Sequence, residues 1–280
     1  MATAIREELE SFADRVLAGA RLGPGMTLAD IGSGTGLVAF RAIERVGPAL
    51  RVILTDISKP LLQHVEALAT QRGVREQCAF VACGADDLAA LPSESVDAVT
   101  TRAVLAYVAD KAAALREFSR VLKPGGRISL AEPVFQDDAF VACALKKQVD
   151  SPEPGKSDPL RPLLHRWKAA QFPDTLEKVA ASPITNYSER TLFDLARSIG
   201  FERLHLELHM DLSPSRLQAW DLFLETSPHP WAPPLSQILS EQFTAAERAL
   251  FERSMRPLVE SGGAHSVVRT AYLQAIKPGA

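Results

Sequence analysis

The sequence predicts an α/β fold: a doubly wound, mostly parallel seven-stranded sheet with helical lid insertions. Three observations carry that reading. Short apolar runs of strand length alternate with segments of helical period from residue 27 to residue 131. A glycine-rich turn, Gly32-Ser33-Gly34-Thr35-Gly36, stands at the first strand-to-helix junction. Proline breaks the periodicity in two later stretches, 151–190 and about 213–265.

The elements follow in order. Ile5, Leu9, Phe12, Val16 and Leu17 recur at helical spacing and predict an amphipathic first helix that runs out at Leu22-Gly23-Pro24-Gly25. Thr27–Ile31 reads as a strand, Gly36–Val46 as a helix, Arg51–Asp56 as a strand, Lys59–Arg72 as a helix and Gln77–Cys83 as a strand. Val96–Thr101 makes a fourth strand and Lys111–Leu122 a helix with Leu115, Phe118, Val121 and Leu122 inward. The turn Lys123-Pro124-Gly125-Gly126 leads into a fifth strand, Arg127–Ala131. Strands joined through helices of about ten residues or more imply crossover connections, hence parallel pairing with both faces covered.

After Pro133 the texture changes, and the prolines of 151–190 predict short helices and loops. Ser188 is placed to cap a helix with Leu192, Leu195, Ala196 and Ile199 inward, and Gly200 to end it. Phe201–Leu212 alternates, with Leu204, Leu206, Leu208 and Met210 on one face and His205, Glu207 and His209 on the other. Val267–Ile276 completes the strand set. The predicted organisation is therefore 1–134 for the first helix and the α/β core and 135–187 for a lid insertion. Residues 188–280 return to the core, with a second helical insertion at about 213–265.

Composition narrows the function classes. The 280 residues are 46% apolar and 23% charged, the make-up of an ordinary globular chain with a sizeable core. A net charge of −3 lacks the basic footprint that polynucleotide binding uses, so no nucleic-acid partner is expected. No apolar run approaches the roughly 18 residues of a membrane span, and the N-terminal stretch carries charges throughout, so the expected location is cytoplasmic. Cys78, Cys83 and Cys143 form neither an even disulfide set nor a CxxC metal pair, and no metal is expected. A homodimer is left open.

A glycine-rich turn at the first strand's carboxyl end exposes backbone N–H groups and a helix N-terminus to a ligand. The dinucleotide fingerprint is GxGxxG, whereas the spacing here is GxGxG followed by Leu37 and Val38. Asp30, just before the loop, would repel a pyrophosphate and suits a ligand bearing an ammonium group. The pattern thus favours an amino-acid-bearing nucleoside over a dinucleotide. A Walker loop is excluded because no GK[ST] follows.

Asp30-Ile31-Gly32-Ser33-Gly34-Thr35-Gly36, the strand-end acid Asp56, Gly84-Ala85-Asp86-Asp87-Leu88 and Leu122-Lys123-Pro124-Gly125-Gly126 together resemble the motif series of class I S-adenosylmethionine-dependent methyltransferases. The small-molecule branch, with the quinone-biosynthesis and arsenite enzymes, is the nearer likeness. It covers about residues 22 to 134, with a weaker echo in the last helix, the last two strands and Leu273-Gln274-Ala275-Ile276-Lys277-Pro278. The resemblance implies a Rossmann-like methyltransferase fold with S-adenosylmethionine as cofactor. It implies that Asp30, Gly32, Ser33, Gly34 and Gly36 surround the cofactor's methionine part, that Asp56 accepts from the ribose hydroxyls and that Ile57 packs on the adenine. The acid–alanine pair that reads the adenine edge in the family aligns with Gly84-Ala85. Asp86 is expected to replace the displaced acid beside Ala85.

Arg102 stands at the fourth strand's end, where it reads either as a surface cation or as a contact to cofactor carboxylate or substrate. Tyr107, His165 and Trp167 are the candidate substrate-pocket residues, against core packing for Tyr107 and a solvated surface position for His165. The [DNS]-P-P-[YFW] motif of amide and nucleobase N-methylating enzymes is replaced by Thr101-Arg102-Ala103-Val104. The expected reaction is in-line methyl transfer to a small, apolar or aromatic molecule. A nicotinamide-dependent oxidoreductase and a non-catalytic methyltransferase-like binding protein remain the alternatives. No catalytic base is assigned.

Overall fold

The computed structural model describes residues 2–279 except 153, 154, 156, 157 and 216, with side chains from residue 10 onward. Ile5 and Leu9 of the expected first helical face therefore lie outside the described side chains. The helices are α1 (Ala2–Ala20), α2 (Leu37–Val46), α3 (Lys59–Gln71), α4 (Lys111–Val121), α5 (Gln136–Asp150), α6 (Arg161–Gln171), α7 (Leu176–Ala181), α8 (Glu189–Ile199), α9 (Trp220–Leu224), α10 (Leu235–Gln242) and α11 (Ala245–Glu260). The strands are β1 (Thr27–Ile31), β2 (Arg51–Asp56), β3 (Cys78–Ala82), β4 (Val96–Arg102), β5 (Leu122–Pro133), β6 (Glu202–Pro214) and β7 (His265–Ile276). They form one sheet in the order β3-β2-β1-β4-β5-β7-β6.

The chain divides into two compact units, one of Met1–Pro133, Ser188–His209 and Thr270–Ala280, the other of Val134–Tyr187 and Met210–Arg269. In the first, β1 pairs in parallel with β2 and β4, β2 with β3 and β4 with β5, while β7 runs antiparallel to β5. Strand order reverses between β1 and β4, which places a crevice at the carboxyl ends of those strands. Leu28, Val52, Leu54 and Ala98 of the sheet pack with Val16 and Leu17 of α1, Phe40 of α2 and Val65 of α3 in one buried cluster. Local chemistry sets the helix ends. Ser58 Oγ accepts from Leu61 N at the start of α3, Ser188 and Thr191 close a capping box on α8, and Gly200 ends α8 with φ 100°.

The 123–126 stretch differs from the expected turn before a strand. β5 begins at Leu122, which pairs with Val96, and pairing then skips from Leu122 to Arg127, opposite Ala98. The skipped residues form a bulge because the C-terminal segment binds them: Lys277 N donates to Gly126 O at 2.8 Å and Gly125 N to Lys277 O at 3.0 Å. A Cβ on Gly126 would lie 2.8 Å from Lys123 O, so only glycine fits there.

The second unit is mostly helical, with the end of β6 and the start of β7. Leu163, Trp220, Leu235, Ile238, Leu239, Phe243, Phe251 and Val259 form its main core. A smaller cluster joins Ala139 and Ala142 of α5 with Phe172 and Val179. The long α5 did not stand out in the sequence because its buried positions are small alanines. Among the described residues, no helix is long and apolar enough to cross a membrane.

Candidate cofactor site

The residues expected to hold a nucleoside meet at the carboxyl ends of β1, β2 and β4. Gly32, Gly34 and Gly36 adopt φ values of 64°, 54° and 77°, left-handed conformations that strain side-chain-bearing residues. Gly32 is additionally crowded, since a Cβ there would lie 2.5 Å from Val104 Cγ2. Gly32→Ala is expected to cost about 1–3 kcal/mol through backbone strain and to push the loop off Val104. Thermal unfolding together with cofactor titration measures both effects.

The loop is tied to β2. Ser33 N donates to Thr55 O at 2.7 Å, and Gly34 N to Asp56 Oδ2 at 3.0 Å. Asp56 Oδ1 accepts from Ser58 N at 2.8 Å. Both carboxylate oxygens of Asp56 are thereby oriented, and each retains acceptor capacity for a diol, because a carboxylate offers about four lone-pair sites. Ile57 follows, 82% exposed, an apolar side chain held at the strand end.

Asp30 is built differently from the expectation of a simple threshold acid. It is buried; Oδ1 accepts from Thr100 Oγ1 at 2.9 Å and Oδ2 from Ala39 N at 3.2 Å. It clamps β1 to β4 and to the first turn of α2. Burial pushes its carboxyl up to about 7, against those two hydrogen bonds and the charge of Arg102. The Arg102 guanidinium is exposed and lies 5.8 Å from the Phe12 ring.

Gly84, Ala85 and Asp86 come after β3. Ala85 is buried and Asp86 exposed. A Cβ built on Gly84 would meet Asp86 Oδ1 at 2.8 Å and Ile57 Cγ2 at 4.0 Å. The Asp86 carboxylate therefore occupies the space from which an acid at position 84 would project, beside Ile57. Asp86→Ala is expected to weaken S-adenosylhomocysteine binding about tenfold, the loss of roughly one hydrogen bond. The double variant Gly84→Asp with Asp86→Ala is expected to recover most of it, and calorimetric titration compares the three proteins.

Sequence reading missed Glu132. It stands next to last in β5, fully buried, with Oε1 accepting from Thr101 Oγ1 at 2.5 Å and Oε2 from Val104 N at 2.9 Å and Ala106 N at 3.3 Å. It fixes the segment after β4, including Ala103 at φ 56° and the turn that ends at the half-buried Tyr107. Burial pushes Glu132 up to about 7 and lowers nearby Lys111 to about 8, the latter opposed by the charge of Glu132. The available signal was an acid near the end of an otherwise apolar strand.

His165 and Trp167 lie in the second unit. Trp167 packs edge-on to Phe223 and Phe251 in that unit's core, with centroid distances of 6.0 and 5.6 Å. His165 Nε2 is 3.1 Å from Asp174 Oδ2, and Lys178 Nζ is 2.8 Å from Asp174 Oδ1. Burial raises Asp174, but the hydrogen bonds from Lys178 and His165 outweigh it and hold the carboxyl below its ordinary range. His165 and Arg166 also line a groove of about 470 Å³ within this unit. His229, which the sequence reading passed over, is buried between Phe135 and Phe172 with Nε2 2.8 Å from Gln171 O.

The residues present fit S-adenosylmethionine. Asp56 offers oriented acceptors, Ile57 an apolar platform and Asp86 an acceptor beside it. In the glycine loop, the buried Ser33 Oγ has no hydrogen-bond partner among the described residues. Fold and site together define a class I S-adenosylmethionine-dependent methyltransferase domain. The profile of the family described as "Methyltransferase domain" matches residues 22–172, more than half of the chain, and the chain belongs to that family. It is 40% identical over 111 residues to nocamycin O-methyltransferase of Saccharothrix syringae, covering 40% of this chain and 39% of that protein. It is 40% identical over 113 residues to a ubiquinone/menaquinone biosynthesis C-methyltransferase of Xanthomonas oryzae, covering 40% of this chain and 44% of that one. The tRNA 5-carboxymethoxyuridine methyltransferase of Escherichia coli is 36% identical over 118 residues, 42% of this chain and 43% of the relative. The chain thus matches about two fifths of the length of these relatives. The YcgJ protein of Bacillus subtilis shares the fold, with a TM-score of 0.58 and 17% identity over 96% of this chain and 98% of that one.

Proposed function

We propose that this protein transfers a methyl group from S-adenosylmethionine to a small apolar or aromatic acceptor. The observation that carries the donor assignment is Asp56, held by Gly34 N and Ser58 N at the end of β2 with Ile57 exposed beside it. The bound donor supplies an electrophilic methyl carbon on a sulfonium. The chain's part is to orient the nucleoside, through Asp56, Ile57, Ala85 and Asp86, and to fix the amino-acid end, through the glycine loop and Arg102. Such positioning is the main catalytic contribution open to a protein in an in-line displacement. Tyr107 is the acceptor contact proposed for the first unit. His165, oriented by Asp174, is the pocket residue proposed for the second unit. Trp167 shapes the same unit from its core.

A net charge of −3 and the names of two relatives, a nocamycin O-methyltransferase and a ubiquinone/menaquinone biosynthesis C-methyltransferase, support a small-molecule acceptor. The tRNA-modifying relative supplies the competing class. A methyl-labelled donor offered with a panel of phenols, quinols and enols and, separately, with unmodified tRNA tests the assignment. Label in small molecules is expected; label in tRNA alone overturns it.

A further inference from the structure

We infer that β6 is a self-pairing edge and that two copies of this chain join antiparallel along it, with the two-fold axis at Leu208. β6 is the last strand of the sheet, beside β7, with no other strand paired to it among the described residues. It is 13 residues long, against five for β3 at the opposite edge. Among the described residues, no backbone hydrogen bond outside the sheet ladders involves residues 202–214. Long edges with unused N–H and C=O groups invite pairing with another strand unless they are short, covered or broken. Arg203, in the left-handed region at φ 49°, and Pro214 stand at the two ends and leave the stretch between them regular.

The sequence of this edge selects a second copy. The midpoint of Glu202–Pro214 is Leu208, so antiparallel pairing about Leu208 is the register that overlaps the whole strand. It sets Glu207 opposite His209 of the second copy, and His205 opposite Asp211. On the other face it sets Leu206 opposite Met210, Leu204 opposite Leu212, and Leu208 opposite itself. From residue 204 to residue 212 every facing pair is then acid with histidine or apolar with apolar, the combinations that favour cross-strand association, while the strand ends set Arg203 opposite Ser213 and Glu202 opposite Pro214. Moving the axis to residue 206 sets Arg203 against His209 and Glu202 against Met210, and shortens the overlap to nine residues. A one-residue slip is forbidden because it would put the apolar face of one copy beside the polar face of the other.

The exposure pattern agrees. Leu208, Met210 and Leu212 are 40%, 56% and 68% exposed, an apolar row unusual for an uncovered edge. The polar side is already organised within one chain: Glu207 lies 3.0 Å from His205 Nε2, 2.9 Å from His209 Nε2 and 3.2 Å from Arg15 Nη1. Because the proposed contact is isologous, it closes at two copies and does not propagate into a fibre.

Sedimentation velocity on the full chain across the micromolar range tests the inference. The unmodified protein is expected to sediment as a dimer. Leu208→Lys, which puts two ammonium groups on the axis, is expected to sediment as a monomer with an unchanged melting temperature. Disulfide trapping reads the register, since facing residues of an antiparallel pair lie about 4.5–5.5 Å apart at Cα, within disulfide reach. Under mild oxidation Leu208→Cys is expected to form a covalent dimer. Leu206→Cys alone is not, whereas Leu206→Cys mixed with Met210→Cys is. A monomer at every concentration, a dimer that survives Leu208→Lys, or trapping of Leu206→Cys as readily as Leu208→Cys would overturn the proposal.

Discussion

Asp56→Ala is expected to lower the affinity for S-adenosylhomocysteine about 100-fold, because two hydrogen bonds to a charged acceptor are worth roughly 3 kcal/mol together. The substitution also releases Gly34 N and Ser58 N, which Asp56 holds at 3.0 and 2.8 Å. Part of the loss will therefore come from a loosened glycine loop. Asp56→Asn separates the two contributions. The amide keeps one oxygen for a backbone donor but presents an NH₂ group to the other, so an intermediate affinity is expected. Calorimetric titration of both variants, alongside their melting curves, reads the result. An affinity within twofold of the unmodified protein in Asp56→Ala would remove Asp56 from the site.

The second large effect falls on Glu132. Glu132→Ala strands the Thr101 hydroxyl and the N–H groups of Val104 and Ala106 in a buried place. Each unsatisfied buried donor costs about 1–3 kcal/mol, so a total loss of about 3–9 kcal/mol is expected, a large share of a typical domain's stability. Glu132→Gln keeps an acceptor for the backbone donors and should lose far less. The pH dependence separates charge from packing. Asp30 and Glu132 are both raised to about 7 in the folded protein, from ordinary values of 3.8 and 4.5. The native state then holds protons that the unfolded chain has released. Their contribution to stability is therefore complete below about pH 4 and declines as pH rises to about 7, on the order of 3–4 kcal/mol for each group. Urea unfolding at several pH values is expected to give midpoints that fall over this window, and a shallower fall in Glu132→Gln. An unchanged slope in that variant would mean that Glu132 is ionised throughout.

The first unit was legible because its signals are local. Strand-length apolar runs, the capping Ser58 and Ser188 and the ending Gly200 each act within a few residues of where they stand. Parallel pairing follows from crossover geometry once those strands are assigned. Asp56, Ile57 and the glycines were legible for the same reason, since a strand end and the turn after it define their place. The bonds that give Asp30 and Glu132 their character were not. Thr100 and Thr101 stand 70 and 31 residues away from the acids they bind, and no local pattern marks such a pairing. Gly84 illustrates an intermediate case. Its neighbour Asp86 was a plausible replacement on sequence, but only the built geometry places that carboxylate against position 84 and Ile57. In the second unit, prolines obscured helical period, and Trp167 read as pocket-lining from its type while its ring packs against Phe223 and Phe251.

The glycine loop and Asp56 together select an amino-acid-bearing nucleoside over a dinucleotide under the proposed function. Calorimetric titration of the unmodified protein with S-adenosylhomocysteine and, separately, with NADH tests this most directly. Saturable binding of one S-adenosylhomocysteine per chain, with no heat from NADH, is predicted. Preferential binding of NADH, or no binding of S-adenosylhomocysteine, would contradict it.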